Sequence, residues 1–129
     1  MSGCHSLSFP GQVVSCVHGI GHGVFVWKGD VPTALAECDI LGKGDQLYCF
    51  DGVFMEYFAN SMNLNIVSGK SAESKCFDFE KRHQSQCIRN QTLFLLNAEV
   101  NDDYGRIIKS CDGMSDHDNR DQCIRTSGL

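Results

Sequence analysis

The sequence predicts an all-α chain, an α-solenoid of stacked antiparallel helical hairpins, each clasped by a disulfide. Three observations carry that expectation. Eight cysteines in 129 residues fall into four brackets, Cys4/Cys16, Cys38/Cys49, Cys76/Cys87 and Cys111/Cys123. Partners within a bracket are 11 or 12 positions apart, and corresponding cysteines recur after 33 to 38 residues, the period of a stacked supersecondary repeat. Apolar residues after each second cysteine recur with a 3.6-residue period and not with the alternation of a strand.

Aligning on the second cysteines shows that period. The next position is Val17, Phe50, Ile88 or Ile124, and eight and nine positions on stand Val24-Phe25, Tyr57-Phe58 and Leu95-Leu96. Ile20, Val53 and Phe54 lie between, so long B helices are expected over 14–27, 47–64 and 85–100. Shorter A helices are expected ahead of the later first cysteines. Asp30-Val31-Pro32 places an acidic cap and a first-turn proline before a helix reaching Leu41 through Ala34, Leu35 and Cys38. Ser68 or Ser71 opens the next, through Cys76 to Phe79, and Asp102 or Asp103 opens the third, through Ile107, Ile108 and Cys111. Gly42-Lys43-Gly44-Asp45 and Asp112-Gly113-Met114-Ser115-Asp116 read as turns inside their brackets. The array is expected as one domain over 1–129, about three helix pairs with partial repeats at both ends, the last bracket keeping only the first helical turns after Cys123.

An even number of regularly spaced cysteines points to disulfides and an oxidising compartment, either extracellular after secretion or periplasmic. Structural zinc and free thiols are the rivals, but no tight C-x-x-C pair is present. Met1-Ser2-Gly3 leads into Cys4 with neither a basic start nor an apolar run, which reads as a mature or excised piece of an exported precursor. No stretch approaches the ~18 apolar residues of a membrane span. Eleven basic against sixteen acidic residues give −5, which argues against a nucleic-acid surface.

This layout resembles the cysteine-rich Sel1-like and tetratricopeptide-like α-repeat proteins, in which a disulfide clasps each helical hairpin. The resemblance rests on period and cysteine placement over nearly the whole chain. It implies the solenoid architecture and transfers no ligand, activity or functional residue.

The densest chemical signal is Cys16-Val17-His18-Gly19-Ile20-Gly21-His22-Gly23. His18 and His22 are four apart, so a helix projects both imidazoles from one face, a common arrangement for two metal ligands. Asp51 or Glu56 on the next B helix is placed to complete a set accepting zinc, copper or iron. Each glycine in a helix costs about 1 kcal/mol against alanine, so the three in this run imply close approach of another helix or a ligand. The competing reading needs no ligand: His18, Asp51, Arg89 and Arg125 follow their cysteines by two positions and form a polar ladder. Gly19 stands where a zinc protease carries its glutamate, and Gly19-x-Gly21 follows no strand, so neither a protease nor a phosphate loop is proposed.

The acidic run Asp112, Asp116, Asp118, Asn119 and Asp121 lacks the spacing of a calcium loop and reads as a solvated turn holding His117. His5 and His83 read as surface residues. Asn90-Gln91-Thr92 matches a glycosylation acceptor. Trp27, Phe50, Phe54, Tyr57, Phe58 and Phe94 are assigned mainly to the core. With no nucleophile elbow and no spaced Ser/His/Asp set, enzyme activity is not favoured. The expected role is an extracellular structural or interaction module, a filament subunit stacking head-to-tail through open repeat ends or a binder of another protein. The alternative is a metal-binding protein or metal-dependent enzyme built on His18 and His22.

Overall fold

The computed structural model describes residues 3–61, 76–98 and 111–127. They form a 3-10 turn at Cys4–Ser6 and the helices α1 (Pro10–Lys28), α2 (Val31–Cys38), α3 (Lys43–Ser61), α4 (Lys81–Ala98) and α5 (His117–Thr126), with no strand among them. The A helices expected to open at Ser68 or Ser71 and at Asp102 or Asp103 lie outside the described residues.

All four brackets are closed in nearest-neighbour order: Cys4–Cys16, Cys38–Cys49, Cys76–Cys87 and Cys111–Cys123, with Cα–Cα separations of 5.5 to 5.7 Å. Two further regularities make each bracket one repeated device. Every second cysteine is the seventh residue of its helix, in α1, α3, α4 and α5 alike. Every first cysteine accepts a hydrogen bond on its carbonyl from the residue three positions on, Leu7 at 3.2, Leu41 at 3.1, Phe79 at 3.2 and Met114 at 3.1 Å. That residue is apolar in all four cases, so C-x-x-apolar marks the turn that reverses the chain. The one-residue difference in bracket length falls between this turn and the helix start.

Three of the helices therefore begin four residues ahead of the expected B helices, at 10, 43 and 81 in place of 14, 47 and 85. Gly42 to Asp45, expected as a turn, instead opens α3, because the Gly42 carbonyl already accepts from the Asp45 and Gln46 amides at 2.9 and 3.2 Å. Asp45 in that first turn suits the positive end of the helix dipole. In the last bracket the helix starts at His117, six residues before Cys123. Asp116 caps it by accepting from the Asn119 amide at 3.0 Å.

The connection from α1 to α2 follows its sequence signals. Gly29 adopts φ +71°, the left-handed region that a side chain disfavours, and its amide closes α1 on the Phe25 carbonyl at 2.7 Å. Asp30 Oδ2 then accepts from the Thr33 amide at 3.0 Å and from its hydroxyl at 2.5 Å. Both bonds hold the Asp30 carboxyl below its ordinary value, the hydroxyl contributing most.

Contacts group the chain into two compact units, Met1–Tyr57 and Phe58–Leu129, and the boundary falls inside α3. The first unit buries Val17, Val31, Ala34, Leu35, Leu41, Phe50, Val53 and Phe54 around its two disulfides. In the second, Phe58, Ile88 and Met114 share the interior with Gln84, Asn90, Gln91, Thr92 and Asn119. Two expectations are corrected here. Trp27 is 73% exposed, carried past the packed part of α1 with the Lys28 ammonium 3.9 Å from its ring centre, while Phe50, Phe54 and Phe58 are core residues as read. His83, read as a surface residue, is buried, because α4 begins early enough to carry it inward.

Candidate functional site

The site lies where α1 crosses α3, and glycine sets how closely they approach. A Cβ on Gly21 would overlap the Cys49 carbonyl oxygen and crowd the Val53 amide. One on Gly52 would overlap the His18 carbonyl oxygen. Each helix therefore lays its backbone against a glycine of the other. Only one of the three clustered glycines is needed for this, since Gly19 and Gly23 face open space. The partner, Gly52, carried no signal in the sequence beyond being one more helical glycine.

This close crossing brings together all four side chains that the sequence singled out. His18 and His22 share one face of α1 with ring centroids 4.7 Å apart, and their Nε2 atoms approach to 2.9 Å. Across the crossing, His22 Nδ1 donates to Glu56 Oε2 at 2.8 Å, and His18 Nδ1 lies 3.2 Å from Asp51 Oδ2. The result is a chain of carboxylate, imidazole, imidazole and carboxylate. The side chains of His18 and His22 are 23% and 28% exposed, so the imidazole pair is reachable from solvent.

The expected metal set is therefore rearranged. Asp51 and Glu56 meet the Nδ1 edges of the rings, so they do not stand beside the Nε2 atoms as third ligands. Among the described residues no group of three or more His, Cys, Asp or Glu converges as a metal cage. The first rung of the expected ladder, His18 to Asp51, is present. Arg89 and Arg125 belong to the second unit, where Arg125 Nε donates to its own helix at the Asp121 carbonyl, 3.4 Å away.

The remaining candidates have structural roles. The acidic run after Cys111 starts α5: Asp116 caps the helix and accepts from Lys81 Nζ at 2.6 Å, and Asp121 pairs with His117 at 3.2 Å. The lysine contact, with the Asn119 amide behind it, holds the Asp116 carboxyl below its ordinary value. Asn119 turns inward and donates to Gln84 Oε1 at 2.9 Å. His5 pairs with Asp45 at 2.6 Å. Asn90, the first residue of the glycosylation acceptor pattern, is 3% exposed inside α4, and its amide nitrogen donates to the Gln86 carbonyl at 2.9 Å.

The chain matches no protein-family model, no curated protein and no solved structure. No helix among the described residues is long and apolar enough to cross a membrane.

Proposed function

We propose that the chain is an exported, disulfide-clasped helical repeat module, stacked in the manner of an α-solenoid, whose role is structural association with further copies of itself. The observation that carries this reading is the set of exposed large apolar side chains that the described residues place on the first unit. Leu7, Phe9, Val26, Trp27, Ile40, Leu47, Tyr48 and Met55 all stand at the surface between the first cysteine and the unit boundary, Ile40 being 75% exposed. Single exposed apolar residues are ordinary, but here three sets fall side by side. Val26 and Trp27 are neighbours on α1, and Leu47 and Tyr48 on α3. Leu7 and Phe9 line a shallow groove of about 700 Å³ with Gly11, Gln12 and Ser15.

Closure of every cysteine into a disulfide supports an oxidising compartment, extracellular or periplasmic. Sedimentation of the disulfide-intact protein over a wide concentration range, followed by negative-stain microscopy, tests the association. Concentration-dependent growth into regular assemblies, weakened in a Trp27→Ser/Ile40→Ser variant, is expected. A monodisperse monomer at every concentration overturns the reading.

A further inference from the structure

We propose that His18 and His22 form a two-imidazole clamp for one divalent transition-metal ion, copper(II) before nickel(II) or zinc(II). In this clamp both Nε2 atoms are ligands, and Asp51 and Glu56 act as outer carboxylates that hold the rings.

The argument starts from the hydrogens. An ionised carboxylate only accepts, so the Nδ1 atoms facing Glu56 at 2.8 Å and Asp51 at 3.2 Å each carry the ring hydrogen. A neutral imidazole with its hydrogen on Nδ1 presents a bare lone pair at Nε2. The two Nε2 atoms nevertheless face one another at 2.9 Å. Two lone pairs at that separation repel unless a positive charge lies between them, either a proton or a metal ion.

The geometry suits the metal. Ring nitrogens bind such ions at about 2.0–2.1 Å, which puts two ligand nitrogens about 2.9–3.4 Å apart for angles from square to tetrahedral. The observed separation lies at the square end of that span, the arrangement copper(II) and nickel(II) favour. A carboxylate behind each ligand imidazole is the usual outer support of a metal site, fixing the tautomer and raising the basicity of the nitrogen at the metal. Partial exposure of both histidines leaves the remaining coordination positions to water or to a donor from another molecule. Magnesium and calcium, which take oxygen ligands, do not suit the pair. Thiolate does not compete for the ion, because every cysteine is in a disulfide.

Titration of the metal-stripped, disulfide-intact protein with copper(II), nickel(II) and zinc(II) in turn tests the clamp. The expected result is one ion per chain, bound most tightly for copper(II), with electron paramagnetic resonance of the copper form reporting two imidazole nitrogens. His18→Ala/His22→Ala is expected to lose that ion, and His5→Ala/His117→Ala to keep it. Glu56→Gln is expected to retain stoichiometry and both nitrogens while weakening binding roughly 10- to 100-fold. Circular dichroism checks the fold of each variant; if the double variant does not fold, His22→Gln gives the same readout with a hydrogen-bonding side chain. Absence of stoichiometric binding, or an ion retained without the two histidines, overturns the proposal. So does a Glu56→Gln variant with a changed ligand set, or nitrogen-15 spectra showing that only a proton, undisplaced by metal, bridges the pair.

Discussion

Between Met1 and Tyr57 the helices meet through glycine backbone and through aliphatic and aromatic carbon. Among the described residues between Phe58 and Leu129, the same disulfide clasp encloses buried amides and hydroxyls beside Phe58, Ile88 and Met114. Among the described residues, the first unit buries mainly carbon and exposes eight large apolar side chains, and its buried carboxylate, Asp51, lies at the α1–α3 crossing. In the second, Asn119 donates to Gln84 at 2.9 Å, Gln84 donates to the Phe79 carbonyl at 3.0 Å, and Ser85 donates to Gln122 at 3.0 Å. A bracket with seven helical residues up to its second cysteine thus tolerates either filling. Carbon packing depends on volume and approach distance, whereas the amide core depends on every partner being present.

The largest expected effect separates glycines that look alike in sequence. Gly21→Ala or Gly52→Ala drives a methyl into carbonyl oxygen of the facing helix and is expected to lower stability by at least about 3 kcal/mol. Gly19→Ala or Gly23→Ala, in open space, is expected to raise it by about 0.5–1 kcal/mol. Thermal unfolding of the four variants measures both; equal behaviour of Gly19→Ala and Gly21→Ala would contradict the close crossing.

Next in size is the clasp shared by the two units. Replacing either pair, Cys38/Cys49 or Cys76/Cys87, by alanine opens a loop of similar length and is expected to cost about 3 kcal/mol in denaturant melts. A much smaller loss in one unit would show that its filling, not its bridge, holds it.

The polar core is sharpened by two substitutions of opposite sign. Asn119→Ala strands the buried Gln84 oxygen and is expected to cost about 1–3 kcal/mol. Gln91 is fully buried with its Nε2 lacking a hydrogen-bond partner among the described residues, and a disulfide sulfur has no hydrogen to give its oxygen. Gln91→Met, which removes the amide and keeps the volume, is therefore expected to stabilise by about 1 kcal/mol. Melting temperatures on one scale test both.

The smallest effect is in acid. Asp30 in the first unit and Asp116 in the second both titrate below their ordinary value when folded, held down by the donors at their helix starts. Such a group binds fewer protons folded than unfolded, so its contribution is full above the unfolded value and drains away as pH falls through the folded one. Stability is expected to decline as pH drops below about 4. Asp30→Asn, which keeps a capping side chain but not the titration, is expected to flatten that decline in the Trp27 fluorescence melt of the first unit. An unchanged profile would remove Asp30 from the acid response.

Several features were legible because they depend on near neighbours in the chain. Cysteine spacing alone implied four bridges in order, and apolar periodicity implied helices. The signals around Asp30 and Pro32 marked the start of α2, whereas Asp116, the cap of α5, was read as part of a solvated turn. The repeated C-x-x-apolar turn was also present in the sequence and would have moved each helix start to its observed place.

Other features rest on surfaces that meet only in three dimensions. Which glycine of Gly19, Gly21 and Gly23 is needed depends on Gly52, 31 residues beyond Gly21. That Asp51 and Glu56 face the Nδ1 edges of His18 and His22 follows from the depth of the same crossing. The exposure of Trp27 and the burial of His83 and Asn90 are set by which side of a helix meets a neighbour. Local chemistry therefore determined the helices and their clasps, because covalent spacing and hydrogen-bond periodicity act within a dozen residues. Only tertiary packing decided which atoms of the histidines are left facing each other, because that orientation is set by the approach of two distant backbones.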